Sequence, residues 1–188
     1  MGLPEIFIIF QTAAVSAITR SARGVLAVAV KDATEGGAAE AAYKSLAEVP
    51  EDKFSPENYR LLKLAFLAAP TKVWVLRVGE DAEKTYQALE RLRFDWLAAP
   101  GLEDARVMSF IKTLRNGGRG VKAVVANATA PDCEGIVNLC VSGLTLEDGA
   151  MEAKDYAVRV AALLAALPLT RSATYVNLPE VVGCDALA

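Results

Sequence analysis

The residues of this chain best placed to do chemistry are few. Asp32 follows an aliphatic run at the point where a parallel sheet presents functional groups, and with Thr34 nearby it suggests an aspartyl nucleophile for phosphoryl transfer. That motif wants a second carboxylate two residues on, and position 34 is Thr34, so a solvated strand-end aspartate is the plainer reading. Asn116, Gly117, Gly118, Arg119 and Gly120 form a glycine cluster that could cradle phosphate with backbone N–H groups. Its order argues otherwise. Phosphate loops run from a strand into a helix N-terminus, whereas this one runs from a helix into a strand, as a helix stop does. Asp132 with Glu134, and Glu147 with Asp148, are carboxylate pairs beside loops, but neither brings the full oxygen set a hard cation needs. Trp74, Trp96 and Tyr59 could stack a base or sugar, although both tryptophans sit in apolar runs where core packing is commoner.

What is missing narrows the chemistry further. The 188 residues contain no histidine, which removes the usual general base, nucleophile activator and metal ligand, and with them any Ser-His-Asp or Cys-His arrangement within this sequence. Cys133, Cys140 and Cys184 form neither an even set nor a metal-type pair, so buried reduced thiols are expected. No cofactor or metal is implied. A net charge of -3 gives no general attraction to nucleic acid or an anionic membrane, and neither is expected as a partner. A hydrophobic content of 53% over this length suits one folded domain with a sizeable core.

The elements that must position these residues alternate in type. An aliphatic strand is expected over residues 25–30, followed by a Gly- and Ala-rich stretch to residue 42 that reads as a loop or weak helix. Ser55, Pro56 and Glu57 stand in the order a helix N-terminus wants, and Tyr59, Leu62 and Phe66 recur on one face of the helix they open. Residues 72–78 alternate as a strand. Asp81 caps a helix over residues 82–93, a short strand follows at 94–98, and a third helix over 103–115 is broken by Asn116-Gly117-Gly118. Further strands are expected at 121–127 and 136–141, a helix at about 151–167 and a last strand at 172–178. This rhythm predicts an α/β fold with a mostly parallel central sheet flanked by helices on its faces.

The first residues stand apart. Ile6, Phe7, Ile8, Ile9 and Phe10 form an apolar, β-branched and aromatic run with no tight hairpin signal after it. No Lys or Arg precedes Arg20, and the run is too short to span a membrane, which argues against a signal peptide. It is either a member of the chain's own sheet or an extended arm donated to the sheet edge of another subunit. The organisation expected is an arm and linker over 1–22, an α/β domain over 23–180, and at 181–188 the start of a C-terminal region that the chain does not contain.

Gly2-Leu3-Pro4, the Ile/Phe strand, Thr12-Ala13-Ala14 and the block from Ile18-Thr19-Arg20 to Gly24-Val25 resemble the start of tail sheath proteins from contractile phages and defective prophages of Gram-positive bacteria. The stretch from Gly120-Val121-Lys122 to Asn127, Asp132-Cys133-Glu134-Gly135, and Val176-Asn177-Leu178-Pro179-Glu180 resemble later parts of the same family. The resemblance implies a non-enzymatic structural subunit, made in the bacterial cytoplasm and built into a virion or phage-tail-like particle. Its partners would be other copies in a helical sleeve and a tail tube protein, with extended arms linking neighbours. It implies contraction driven by packing differences between subunits. Family members usually continue past the equivalent of Glu180, so this chain alone is expected to be monomeric or loosely associated and unable to contract. The competing reading is an α/β nucleotide- or phosphate-binding enzyme using Asp32.

Overall fold

The computed structural model describes residues 24–127, 131–168, 171–174 and 176–186. Residues 6–10, the expected arm, lie outside them. The first strand, β1 (Val25–Val30), is buried at every position. Val25, Ala27 and Ala29 enter one hydrophobic cluster, and Leu26, Val28 and Val30 enter another on the opposite face. A strand apolar on both faces must lie inside a sheet covered on both sides. That is its position in a six-stranded sheet.

The sheet takes its order from five parallel strands and one antiparallel edge. Strand β2 (Glu40–Tyr43) pairs antiparallel with β3 (Lys72–Arg77), which lies parallel to β1. On the other side of β1 come β4 (Trp96–Ala98), β5 (Lys122–Val125) and β6 (Ile136–Asn138), each parallel to its neighbour. The order is therefore β2-β3-β1-β4-β5-β6. Helices α2 (Ala82–Arg91) and α3 (Asp104–Asn116) cover one face through Tyr86, Leu89, Val107 and Ile111. Helices α1 (Pro56–Phe66) and α4 (Ala153–Ala166) cover the other through Leu61, Leu62, Val158 and Ala162. The expected α/β class, mostly parallel sheet and flanking helices are borne out.

Local chemistry sets the helix ends where the sequence placed them. Ser55 Oγ accepts the Asn58 N–H at 3.2 Å with Pro56 in the first turn, and Asp81 accepts the Glu83 N–H at 3.0 Å. Gly118, at φ 85°, lets the chain leave α3, and the Arg119 N–H returns to the Leu114 carbonyl at 3.0 Å.

Four expectations are corrected. The stretch expected as loop or weak helix contains β2, because the β3 edge supplies backbone partners that the composition of residues 34–42 does not announce. The strand expected over 136–141 is two strands: the Asn138 side chain bonds the Asn127 N–H and carbonyl at 2.9 and 2.5 Å, closing β6, and the chain then leaves for another sheet. The strand expected over 172–178 does not form among its described residues. Ser172 Oγ instead accepts the Thr174 N–H at 3.1 Å in a local turn. Residues 181–186, expected to lead out of the domain with no closing element, form a strand.

That strand, β9 (Val181–Ala186), belongs to a second sheet of order β8-β7-β9, with β7 (Val141–Leu146) and β8 (Gly149–Ala150). The small sheet packs outside the α1 and α4 layer through Leu64, Leu144, Leu146 and Tyr156.

Candidate functional site

In open parallel sheets, ligands bind outside the carboxyl ends of the strands, near the point where the strand order reverses. Here β1 connects to β3 on one side and the chain next enters β4 on the other, so that point lies beside β1. A cleft of about 710 Å³ opens there, lined by residues that include Asp32, Val78, Tyr86, Gly101, Glu103 and Arg106. The described chain closes much of this crevice itself. The Gly101 N–H bonds the Ala29 carbonyl at 2.9 Å, and a Cβ on Gly101 would stand 2.7 Å from the Lys31 nitrogen and 2.9 Å from the Val30 carbonyl carbon. Only glycine lets the two loops approach so closely.

Asp32 is at the strand end, as its sequence position requires, but its carboxylate is occupied. It accepts the N–H of Thr34 at 2.9 Å, the N–H of Ser55 at 2.9 Å and the Asn58 amide at 2.7 Å. Arg77 Nη1 lies 3.9 Å away, and the Asp32 side chain has no exposed surface. Burial alone would raise its pKa; the hydrogen bonds from Ser55, Thr34 and Asn58 outweigh that and hold the carboxyl well below the usual range. The solvated aspartate expected from sequence is instead a buried one. Arg77 in turn donates to the Thr34 carbonyl at 2.6 Å and to the Lys53 carbonyl, and lies over the Phe54 ring at 4.8 Å. The cluster ties the loop after β1 and the loop before α1 to α1 itself and to the end of β3, at the place where an enzyme of this fold would keep a free nucleophile.

The other candidates disperse. Residues 116–120 form the helix stop just described. Glu134 pairs with Arg115, and Asp148 is held in a two-point bridge by Arg60 at 2.7 and 2.5 Å, so neither carboxylate pair acts as a pair. Among the described residues no group of three metal-capable side chains converges. Trp74 joins the α2 and α3 face, whereas Trp96 and Tyr59 join the α1 and α4 face, so they share no stacking platform. The burial expected of the cysteines is corrected: Cys133 is half-buried, and Cys140 and Cys184 are exposed because these two stand on a loop and a strand outside the two covered faces of the large sheet; all three are free thiols.

Two clusters that sequence reading missed brace the described chain, one near Gly24 and one near Glu180. The Asp95 carboxylate accepts the N–H groups of Gly24 and Val25 at 2.8 and 3.0 Å, fixing the point from which residues 1–23 depart. The Glu180 carboxylate accepts from Arg159 Nε at 2.6 Å and the Tyr156 hydroxyl at 2.9 Å, fixing the entry to β9. Burial works to raise the Glu180 pKa, and the Arg159 and Tyr156 hydrogen bonds more than reverse it; burial pushes the Tyr156 phenol up. An arginine at position 159 inside an alanine-rich apolar helix was the available signal for the second cluster.

No family model matches the chain. It is 32% identical over 197 aligned positions to a tail sheath protein of the Clostridium phage phiCD119, an alignment covering 96% of this chain and 53% of that protein. The chain thus spans about half the length of that curated relative. Its fold is similar to a sheath tail protein of Desulfitobacterium hafniense at a TM-score of 0.72 and 16% identity, covering 96% of this chain and 66% of the other. A sheath tail protein of Listeria innocua gives 0.72 and 17% over 86% and 60%. The helical sheath of an anti-feeding prophage in its contracted state gives 0.55 and 13% over 88% and 51%. By sequence along nearly its whole length, and by fold, this chain is a relative of the tail sheath proteins of phages and prophages.

Proposed function

We propose that this chain is a structural subunit of a contractile tail sheath, polymerising helically around a tail tube and contracting with its neighbours, without enzymatic activity of its own. The observation that carries this reading is the sequence similarity to a phage tail sheath protein over 96% of the chain. The occupied Asp32 carboxylate supports it, because the competing phosphoryl-transfer reading needs that group free. Ile6, Phe7, Ile8, Ile9 and Phe10 would serve as the inter-subunit arm, pairing by backbone hydrogen bonds with a neighbour's sheet edge. The hold of Asp95 on Gly24 and Val25 suits an arm that bears load, since tension on residues 1–23 would meet a fixed point at the very start of β1.

The test is localisation in particles. Antibodies raised against this chain should decorate the sheath of tails released from the producing cell, and decoration of no tail structure would reject the reading. Removal of residues 1–12 in the producing cell should abolish incorporation into sheaths while leaving cooperative unfolding of the purified chain unchanged. Normal incorporation after that deletion would refute the arm.

A further inference from the structure

The two ends of the large sheet carry opposite charge, and the surplus lies outside the helices. At the strand-carboxyl end, Glu80 and Glu103 line the cleft, exposed and without an ion pair among the described residues. Lys31 on the same rim only partly offsets them, because Arg106 is taken up by Glu83 at 2.9 Å. At the strand-amino end stand Lys72 and Lys122, the first residues of β3 and β5, with exposed Arg93 beside them. Glu90 and Asp132 are the acids near this end without an ion pair among the described residues that offset Lys72, Lys122 and Arg93, since Asp95 is bound to backbone and Glu134 to Arg115.

Helix dipoles account for acids such as Glu83 and Asp104 in first turns and for Arg91 and Arg115 in last turns. The same dipoles favour Glu103, at the cap position of α3, and Glu80, just before the capping Asp81 of α2, so the acidic pole is built at helix starts. They do not account for Lys72 and Lys122, because strands such as β3 and β5 have almost no dipole to complement. Both lysines sit over tryptophan rings, at 4.8 Å for Lys72 on Trp74 and 5.3 Å for Lys122 on Trp96, which holds the two cations at that pole. At the acidic end, Tyr86 lines the cleft at 6% exposure, and its buried hydroxyl has no hydrogen-bond partner.

We infer that copies of this chain stack pole to pole, the acidic strand-carboxyl cleft of one receiving the basic strand-amino face of the next. This rests on the reading of the chain as a polymerising subunit. The partner is a second copy because each molecule carries both halves of the complementary pair, about 20 Å apart along the strands. Such a head-to-tail contact does not close on itself in pairs and so propagates from copy to copy. A stacking face also explains why a cleft at the usual ligand position has its carboxylate sealed and its rim left charged.

Sedimentation velocity on the full 188-residue chain tests it. Mass should grow with concentration at about 20 mM salt, and association should weaken at least tenfold by about 500 mM, where exposed charges are screened within a few Å. The variants Glu80→Lys with Glu103→Lys, and Arg93→Glu with Lys122→Glu, should each be monomeric while still unfolding cooperatively. An equimolar mixture of the two should associate again, because each reversed pole meets its complement. A wild-type chain that stays monomeric at low salt, association indifferent to either reversal, or a mixture that stays monomeric would overturn the contact. None of these outcomes bears on decoration of tails by antibody, so the contact and the sheath reading fail separately.

Discussion

Replacing Asp32 by Asn isolates the part of the fold that stands where catalysis would be expected. The side chain is isosteric, so the change is one of charge and hydrogen-bond direction. In the native chain one carboxylate oxygen accepts from Ser55 and Asn58 and the other accepts from Thr34 and faces Arg77. An amide can keep one of those sides. Its NH2 must then face a donor, which leaves at least one buried N–H unsatisfied at a cost of about 1–3 kcal/mol. Arg77, whose side chain is 10% exposed, also loses the negative charge beside it, and breaking a buried pair by removing one partner costs about 3–5 kcal/mol. The two effects overlap, so about 3–4 kcal/mol is expected in urea unfolding, or a melting temperature lower by about 10 °C for a chain of this size. The pH dependence carries the sign. A carboxyl whose pKa is depressed in the folded state contributes stability above the unfolded value of about 3.9 and loses it as pH falls toward the folded value. The gap between wild type and Asp32→Asn should therefore be full at neutral pH and shrink steadily below about pH 5. A variant within about 1 kcal/mol of wild type, or a gap that does not close in acid, would refute the claim that Asp32 is a structural tie.

Three further outcomes are expected. Ala69, in the turn that follows α1, stands at φ 51°, a left-handed conformation that strains a Cβ, so Ala69→Gly should stabilise the chain by about 0.5–1 kcal/mol in the same urea assay. Glu180→Gln should weaken the hold on β9: hydrogen exchange of residues 181–186 should accelerate at least tenfold while β1 and β3 keep their protection, and uniform exchange would count against a local latch. Gly101→Ala drives a methyl group against backbone of residues 30 and 31, and a loss of about 2–3 kcal/mol is expected from thermal unfolding with an unchanged circular dichroism spectrum.

How far the sequence could be read depended on how local each signal is. The cap at Ser55, the cap at Asp81 and the stop at Gly118 act on residues within four positions, and each stands where the pattern put it. The strands β1, β3 and β5 are apolar enough to announce themselves. Edge strand β2 is not: its four residues, Glu40 to Tyr43, are half exposed, and only the free edge of β3 makes them a strand. The strand β9 and the division between β6 and β7 escaped for the same reason. Periodicity marks a segment as extended without naming its partner.

The sequence by itself determined the class of the fold, the absence of histidine chemistry and the location of Asp32 at the end of the first strand, because hydrophobic period, capping and composition are properties of neighbouring residues. Only the tertiary structure decided what those positions do. Asp32 meets Ser55 and Asn58 across 23 and 26 residues, Gly24 meets Asp95 across 71, and Arg159 meets Glu180 across 21. A carboxylate is a nucleophile, a ligand or a tie according to which donors surround it, and those donors are brought by the packing of elements remote in the chain.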